Sequence, residues 1–309
     1  MHDLIIIGAG PAGLTAALYA GRYRLDTVAL ERICPGGQII LSPTIENYPG
    51  FPGGIPTQEL IDRFKKQAEE AGISFVSDEV LSIGTDEAGK FPVYRVVTAG
   101  KGSYEAKTVI IASGSQSKRL GVKGEDKFVG RGVSYCATCD APLFRNKDVC
   151  VIGGGDRAME EAIYLTAYAS SVAVIHRRQE LRASKILQER ARVLPKIEFL
   201  LDSVVEEIKG STAVESVAVK NVQTGDISEK SCRGVFVFVG ITPNTGYLKN
   251  FLRTDESGFL ITGQDLSTSR QGIFACGDCR QKGLYQVVNA CGDGAEAAAG
   301  AHRYLLNLG

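Results

Sequence analysis

The length permits two domains of ordinary size, each with its own core, because the chain has 309 residues. Hydrophobic residues make up 44% and charged residues 23%, which is typical of globular proteins and excludes extended disorder. Thirty-five basic residues balance thirty-five acidic ones, so charge gives no indication of nucleic acid or an anionic membrane as partner. The N-terminus lacks a signal-peptide pattern, and no apolar run approaches the roughly 20 residues of a membrane helix, which predicts a cytoplasmic location.

The first predicted element is a buried parallel strand, Leu4–Ile7, because this run is short and wholly apolar. It leads through Gly8-Ala9-Gly10-Pro11-Ala12-Gly13 into a helix-forming stretch, Leu14–Ala20. Such a turn lets backbone amides and the helix N-terminus bind a pyrophosphate. The next predicted strand, Thr27–Leu30, ends at Glu31, the twenty-third residue after Gly8. A carboxylate at that point accepts hydrogen bonds from ribose hydroxyls, so the pattern predicts an adenosine dinucleotide without a 2′-phosphate.

Turn-forming residues dominate the following segment, at Pro35–Gln38 and again at Glu46–Pro52. The pattern then predicts an amphipathic helix at Thr57–Gly72 and strands at Val93–Thr98 and Ala106–Ala112.

A pair of cysteines lies between two dinucleotide patterns, in Cys136-Ala137-Thr138-Cys139-Asp140. This spacing alone is ambiguous, because zinc knuckles and structural disulfides share it with redox-active pairs. Its position between two electron-carrier sites favours a redox role. Asp140 is the best acid-base candidate, since the three histidines lie elsewhere, although helix capping is an alternative role for it.

The second half repeats the first. A predicted strand, Asp148–Ile152, leads through Gly153-Gly154-Gly155-Asp156-Arg157-Ala158 into a predicted helix, Met159–Tyr168. The next strand, Val172–Ile175, runs into bases where the first half has an acid: His176, Arg177, Arg178 and, one turn later, Arg182. Arginine binds a phosphate bidentately, so the second site is predicted to hold NADPH.

Further strands are predicted at Val217–Asn221, Gly234–Val239 and Ile273–Ala275, a hinge at Gly240–Asn244, and a last helix from Asp293 to about Leu306. A second Cys-x-x-Cys, Cys276 and Cys279, lacks the compact partner spacing of a zinc ribbon, and we predict no metal site. The other cysteines are predicted to be buried packing residues: Cys34, Cys150, Cys232 and Cys291.

Several motifs in one order resemble a known family. They are Gly8–Gly13, Gly36-Gly37-Gln38, Glu46–Gly50, Cys136–Asp140, His176-Arg177-Arg178 and Cys276-Gly277-Asp278. Over essentially its whole length the chain resembles the low-molecular-weight thioredoxin reductases of bacteria and archaea, which are class II FAD-dependent pyridine nucleotide disulfide oxidoreductases. The resemblance implies an α/β fold with two Rossmann-like, three-layer ββα domains. An FAD domain, residues 1–114 and 244–309, would contain an inserted NADPH domain, residues 115–243.

The resemblance also implies roles for residues. The FAD contacts would include Glu31, Gly37, Gln38, Asn47, Asp278 and Gln286, and the NADPH contacts would include Gly153, Gly155 and Ala158. NADPH would reduce FAD, FAD would reduce the Cys136–Cys139 disulfide, and the dithiol would reduce oxidised thioredoxin or a similar small dithiol protein. The protein would be a homodimer. A reductase of a glutaredoxin-like protein, a disulfide-independent oxidase or ferredoxin reductase, and a non-enzymatic redox sensor are the alternatives.

Three segments depart from the family pattern. Ala141-Pro142-Leu143-Phe144 replaces glycine and aromatic residues, which affects predicted contacts to the partner protein. Arg157 replaces a small polar residue and adds positive charge near the predicted pyrophosphate. Tyr285 stands where a basic residue is usual.

Chain order also predicts motion. The cysteines lie in the inserted segment, and their disulfide would have to pack on the flavin to be reduced. While it does so, the nicotinamide cannot occupy the same place, and the reduced cysteines cannot face thioredoxin. We therefore expect rotation of the insert about residues 115–118 and 240–244.

Overall fold

The structure, a computed structural model, describes residues 1–41, 44–86, 89, 91–100 and 102–308, without the side chains of Leu41, Thr138 and Cys139. The chain divides into two units, Met1–Gln116 with Thr242–Gly309, and Ser117–Ile241. The first unit is therefore discontinuous in sequence and the second is inserted into it.

The first part of the discontinuous unit contains β1 (His2–Ile7), α1 (Pro11–Arg22), β2 (Thr27–Glu31), β3 (Thr44–Ile45), β4 (Ile55–Pro56), α2 (Thr57–Glu70), β5 (Ser74–Ser77), β6 (Val80–Asp86), β7 (Val93–Thr98), β8 (Gly102–Ile111) and β9 (Ser115–Ser117). The inserted unit contains α3 (Glu125–Phe128), β10 (Val133–Ser134), α4 (Ala137–Asp140), β11 (Asp148–Ile152), α5 (Asp156–Leu165), β12 (Ser171–Ile175), α6 (Lys185–Arg192), β13 (Ile197–Leu200), β14 (Ser203–Gly210), β15 (Val214–Asn221), β16 (Ile227–Ser231) and β17 (Gly234–Val237). The chain ends with β18 (Ile241–Pro243), β19 (Ile273–Ala275) and α7 (Val287–Leu306).

The sheet of the discontinuous unit has the order β5-β2-β1-β8-β7-β6, with β19 also paired to β8. Strand β1 runs parallel to both neighbours, so that Ile5 pairs with Val28 on one side and Val109 on the other. A central parallel strand is covered on both faces, which explains why its run is wholly apolar. The predicted strands Leu4–Ile7 and Val93–Thr98 are confirmed.

Helices α1 and α7 pack together through small side chains, including Ala16 and Ala20 of α1 and Ala297 and Ala301 of α7, all fully buried. Helix α7 begins at Val287, six residues before the predicted start. The sequence pattern missed the first six residues of α7 because the glycine at position 292 is typical of a helix boundary. In the structure, Val287 is buried and contributes to the core.

The inserted unit has a parallel sheet of order β10-β17-β11-β12-β13 and an antiparallel sheet of order β14-β15-β16. Two core clusters lie wholly within it, one containing Val151, Met159 and Phe236, the other containing Cys150, Val217 and Val235. The parallel sheets with their helices confirm the predicted α/β class.

Both crossings between the units are short strands, since β9 pairs with β18. The predicted hinge at Gly240–Asn244 thus includes a strand, and its rotation stays a prediction. Within the described residues, no helix is both long and apolar enough to cross a bilayer.

Candidate functional site

The turn after β1 requires glycine at two positions. A Cβ on Gly8, which has φ +103°, would lie 2.3 Å from the Ala112 carbonyl oxygen, and a Cβ on Gly13 would lie 1.9 Å from the Gly8 oxygen. Helix α1 begins at Pro11, and Gly10 at its N-cap offers no side chain to cap it. The amides of the first turn, Ala12 among them, are thus available to an anionic ligand, as a dinucleotide pyrophosphate requires.

Glu31 is fixed beside this turn. Its Oε2 accepts a hydrogen bond from Ala9 N at 2.8 Å, and its Oε1 accepts one from Ile33 N at 3.1 Å. A carboxylate has about four acceptor positions, so two remain after these bonds. The carboxylate is therefore oriented by the backbone and still able to accept from ribose hydroxyls.

The loop predicted to contact FAD folds onto the same turn. Gly36 N donates to Ala9 O at 2.8 Å, and a Cβ on Gly37 would lie 3.2 Å from the Gly10 Cα. Gln38 Nε2 donates to the Ser115 carbonyl. Asn47 Nδ2 donates to Gln286 Oε1 at 2.9 Å, which joins two residues far apart in sequence.

Asp278 belongs to a cluster of four charged residues that the sequence reasoning missed. Lys282 Nζ lies 3.0 Å from Asp278 Oδ1 and 3.4 Å from Asp293 Oδ2. Arg280 donates to Asp293 through Nε at 2.9 Å and through Nη2 at 2.8 Å. The Lys282 side chain is 4% exposed and Asp293 is 6% exposed. Burial of long polar side chains is not visible in a local pattern. The one local signal for the cluster is the charged residue at every second position from Asp278 to Lys282.

The family pattern has a basic residue at the position of Tyr285. In this chain a basic side chain of the cluster, Lys282, lies close to Tyr285 instead. Lys282 Nζ lies 5.5 Å from the centroid of the Tyr285 ring. Asp293 Oδ2 also accepts from Gly277 N at 3.1 Å, which fixes the backbone beside Asp278.

Cys136 is disulfide-bonded and 9% exposed, and it immediately precedes α4. Its amide donates to Ser134 Oγ at 3.1 Å, and the same hydroxyl donates to Cys136 O at 3.1 Å. The Cys139 side chain lies outside the described part of the structure, so its pairing with Cys136 stays a prediction. Asp140 is half-buried at the end of α4 and makes no side-chain capping bond to the short 3-10 helix that follows.

The second glycine turn resembles the first. A Cβ on Gly153 would lie 2.4 Å from the Phe238 carbonyl oxygen, and Gly155 precedes α5 without a capping side chain. A Cβ on Gly155 would meet nothing within 4 Å, so the space in front of the helix is open. Ala158 is fully buried, with its Cβ 2.9 Å from the position of a Cβ on Gly153. This turn also fits a pyrophosphate.

The bases after β12 divide into two kinds. His176 is 5% exposed and its Nε2 lies 3.2 Å from the Glu180 carbonyl oxygen. Burial lowers the pKa of His176, and the neighbouring arginines lower it further, so its neutral form is favoured. Arg177, Arg178 and Arg182 are exposed and carry the positive charge of this strand end.

The remaining cysteines are free. Cys150, Cys232 and Cys291 are buried, as are Cys276 and Cys279. The prediction of burial is wrong for Cys34, which is exposed because it lies in the turn after β2 and not within a strand or helix. Among the described residues, no group of three or more His, Cys, Asp or Glu is arranged to hold a metal ion.

Known proteins resemble this chain over its full length. Residues 2–294 match the family of the pyridine nucleotide-disulphide oxidoreductases. Thioredoxin reductase of Peptoclostridium acidaminophilum is 43% identical over 311 residues, covering 99% of this chain and 97% of that protein. Thioredoxin reductase of Treponema pallidum is 44% identical, covering 99% and 98%. The crystal structure of Lactococcus lactis thioredoxin reductase superimposes with a TM-score of 0.95 at 42% identity, covering 99% of this chain and 100% of that one.

Proposed function

The chain belongs to the pyridine nucleotide-disulphide oxidoreductase family as one of its thioredoxin reductases, and on this premise we propose which residues carry the activity. The observation that carries the proposal is the disulfide-bonded Cys136, which lies in the same unit as a dinucleotide turn followed by exposed arginines. FAD, when bound, accepts a hydride from NADPH and delivers two electrons to a disulfide.

The discontinuous unit would hold FAD. Gly8–Gly13 would bind the pyrophosphate through backbone amides, and Glu31 would accept from the adenosine ribose. Gly37, Gln38, Asn47 and Gln286 would contact the rest of the cofactor, because the loop carrying the first two packs on this turn and the last two bond to each other. Asp278, held by Lys282, would contact the ribitol or the flavin-side phosphate.

The inserted unit would hold NADPH. Gly153, Gly155 and Ala158 would form the pyrophosphate turn, and Arg177, Arg178 and Arg182 would bind the 2′-phosphate. His176 would shape the site in its neutral form, since its ring packs on Gly154 and a Cβ there would lie 2.4 Å from its Nδ1.

Cys136 and Cys139 would exchange with the partner disulfide. A thiolate of the reduced pair attacks one sulfur of the thioredoxin disulfide, which forms a mixed disulfide and releases the other sulfur as a thiolate. The second cysteine then attacks the mixed disulfide, so that the enzyme regains its S–S bond and thioredoxin gains two thiols. Asp140 would give and take the proton that this exchange requires.

The test is turnover of NADPH with oxidised thioredoxin by the protein loaded with FAD. Cys136→Ser should lose thioredoxin reduction but retain NADPH-dependent reduction of ferricyanide, which needs no disulfide. Cys34→Ser is the matched control, because that free thiol is exposed and lies in the other unit, and it should behave as wild type. Thioredoxin reduction by Cys136→Ser at the wild-type rate would exclude the proposed role of the pair.

The partner and the assembly are further proposals. Leu143, exposed three residues after Asp140, would give thioredoxin an apolar contact in place of an aromatic one. We also propose a homodimer, because the resemblance to the family implies one. The buried free thiols accord with a reducing, cytoplasmic location. Light scattering that gave a monomer mass would exclude the dimer.

A further inference from the structure

Arg157 is the second residue of α5, in the turn proposed to bind the NADPH pyrophosphate. Its guanidinium donates from Nη1 to Ser117 Oγ at 3.1 Å and from Nη2 to Tyr135 O at 3.0 Å. The same group lies 5.2 Å from the centroid of the Phe238 ring. The arginine therefore reaches across the end of β17 to the segment that follows β10.

That segment contains the redox-active cysteine, because Tyr135 directly precedes Cys136. The Tyr135 hydroxyl donates to Glu125 Oε1 at 2.7 Å, and Glu125, 2% exposed, also accepts from Leu120 N and Gly121 N. Burial and this bond raise the pKa of Tyr135 to about 12, so the phenol remains a donor at neutral pH. Tyr135 is thus held at its ring by α3 and at its carbonyl by α5.

The contacts of Arg157 do not fit a simple phosphate ligand. Its side chain is 31% exposed, and the buried Glu161 carboxylate lies 3.9 Å from its Nε. Burial lowers the pKa of Arg157, but a guanidinium stays protonated in proteins, so Arg157 keeps its positive charge. The Glu161 carboxylate of the same unit compensates this charge. The planar fork suits two fixed acceptors at once, which a small polar residue could not reach.

We propose that Arg157 is a positioning residue that fixes the segment Ser134–Cys136 on the first turn of α5, and so couples binding at the nucleotide turn to the geometry of Cys136. The inference rests on the proposed function, because it takes the NADPH pyrophosphate to bind at this turn. An ordered pyrophosphate would restrain the first turn of α5, and Arg157 would transmit the restraint to the Tyr135 carbonyl.

Hydrogen exchange followed by mass spectrometry tests this without turnover, using the FAD-loaded protein with and without NADP⁺. In the wild type, NADP⁺ should slow exchange in peptides covering residues 133–137. In Arg157→Met, these peptides should exchange faster and should no longer respond to NADP⁺, while peptides of α5 still do. Arg192→Met is the control, because Arg192 also lies over a phenylalanine ring, Phe199, but is exposed at the end of α6.

Kinetics provide a second readout. Arg157→Met should lower kcat with thioredoxin by about tenfold or more, since small displacements of reacting groups have such effects, with the KM for NADPH changed less than about threefold. A large rise in that KM at unchanged kcat would make Arg157 a pyrophosphate ligand and overturn the inference. Unchanged exchange at residues 133–137 would also overturn it.

Arg157→Lys serves if the methionine variant does not fold. It keeps the charge but cannot bond both acceptors as a fork, and it should show the same changes at smaller amplitude. Full wild-type behaviour in both readouts would contradict the inference. Failure of the wild type itself to reduce thioredoxin would instead refute the proposed function, and the exchange data would still report on the coupling.

Discussion

At the scale of single residues, Lys282 links Asp278 to the buried Asp293. Its Nζ lies 3.0 Å from Asp278 Oδ1 and 3.4 Å from Asp293 Oδ2. Removing one partner of a buried ion pair costs roughly 3–5 kcal/mol, because the remaining charge is left without compensation. We expect Lys282→Met to lower the free energy of unfolding by an amount at or below the lower end of this range. Arg280 still neutralises Asp293 in this variant, and Asp278 is 35% exposed.

The variant should also bind FAD more weakly, because Asp278 is proposed to contact the cofactor. Urea unfolding and fluorescence titration with FAD measure the two effects. Lys66→Met is the matched control, because the exposed Lys66 pairs with Glu70 at 3.9 Å along α2 and should change stability by less than about 0.5 kcal/mol. Equal stability and equal FAD affinity in Lys282→Met and wild type would show that the cluster does not position Asp278.

At the scale of elements, we propose that the ends of β2 and β12 determine which nucleotide each turn accepts. Strand β2 ends in Glu31, whose carboxylate is held by two backbone amides, whereas β12 is followed by exposed arginines. Charge-assisted hydrogen bonds contribute roughly 1.5–3 kcal/mol each, and 1.4 kcal/mol corresponds to a tenfold change in affinity. Replacing Arg177 and Arg178 together by alanine should therefore raise the KM for NADPH about tenfold or more and leave that for NADH nearly unchanged.

Steady-state kinetics with both nucleotides measure this preference. The double variant should also lose part of the salt dependence of NADPH binding, since exposed charges are screened by salt. Arg192→Ala removes an exposed arginine from α6 of the same unit and should leave both constants unchanged. A parallel rise in both constants would mean that the arginines support the fold of the site and do not select the 2′-phosphate.

At the scale of the whole molecule, the inserted unit has what an independent domain needs. Of the residues that the structure describes, its two core clusters contain members of this unit alone. Its ends lie side by side, since Lys118 N donates to Gly240 O at 2.9 Å. We expect the fragment Ser117–Ile241 to unfold cooperatively and to bind NADPH but not FAD.

Calorimetry of the isolated fragment, with and without NADPH and FAD, measures the cooperativity of its unfolding and its binding of each nucleotide. The same fragment carrying Arg177→Ala and Arg178→Ala should remain folded and lose NADPH affinity, which separates folding from recognition. A fragment that binds the dye ANS and shows no cooperative transition would contradict the division into independent domains.

The sequence by itself determined the features whose signals are local. A wholly apolar run followed by closely spaced glycines predicted β1, the first turn and α1, because this order of residues is typical of a strand, turn and helix. The same reasoning found β11 and α5, and equal spacing located Glu31 and His176 at the ends of the next strands. Family resemblance then connected these motifs to one activity.

Only the tertiary structure decided which side chains meet and which are buried. His176 is buried, which separates it from the exposed arginines that follow it in the sequence. Cys34 is exposed and is therefore a surface thiol. The structure shows that Arg157 bonds to Tyr135 O and that Lys282 joins Asp278 to Asp293 on α7. These contacts could not be predicted from local sequence, because the free energy of a buried charge or hydrogen bond depends on partners that folding brings from distant parts of the chain.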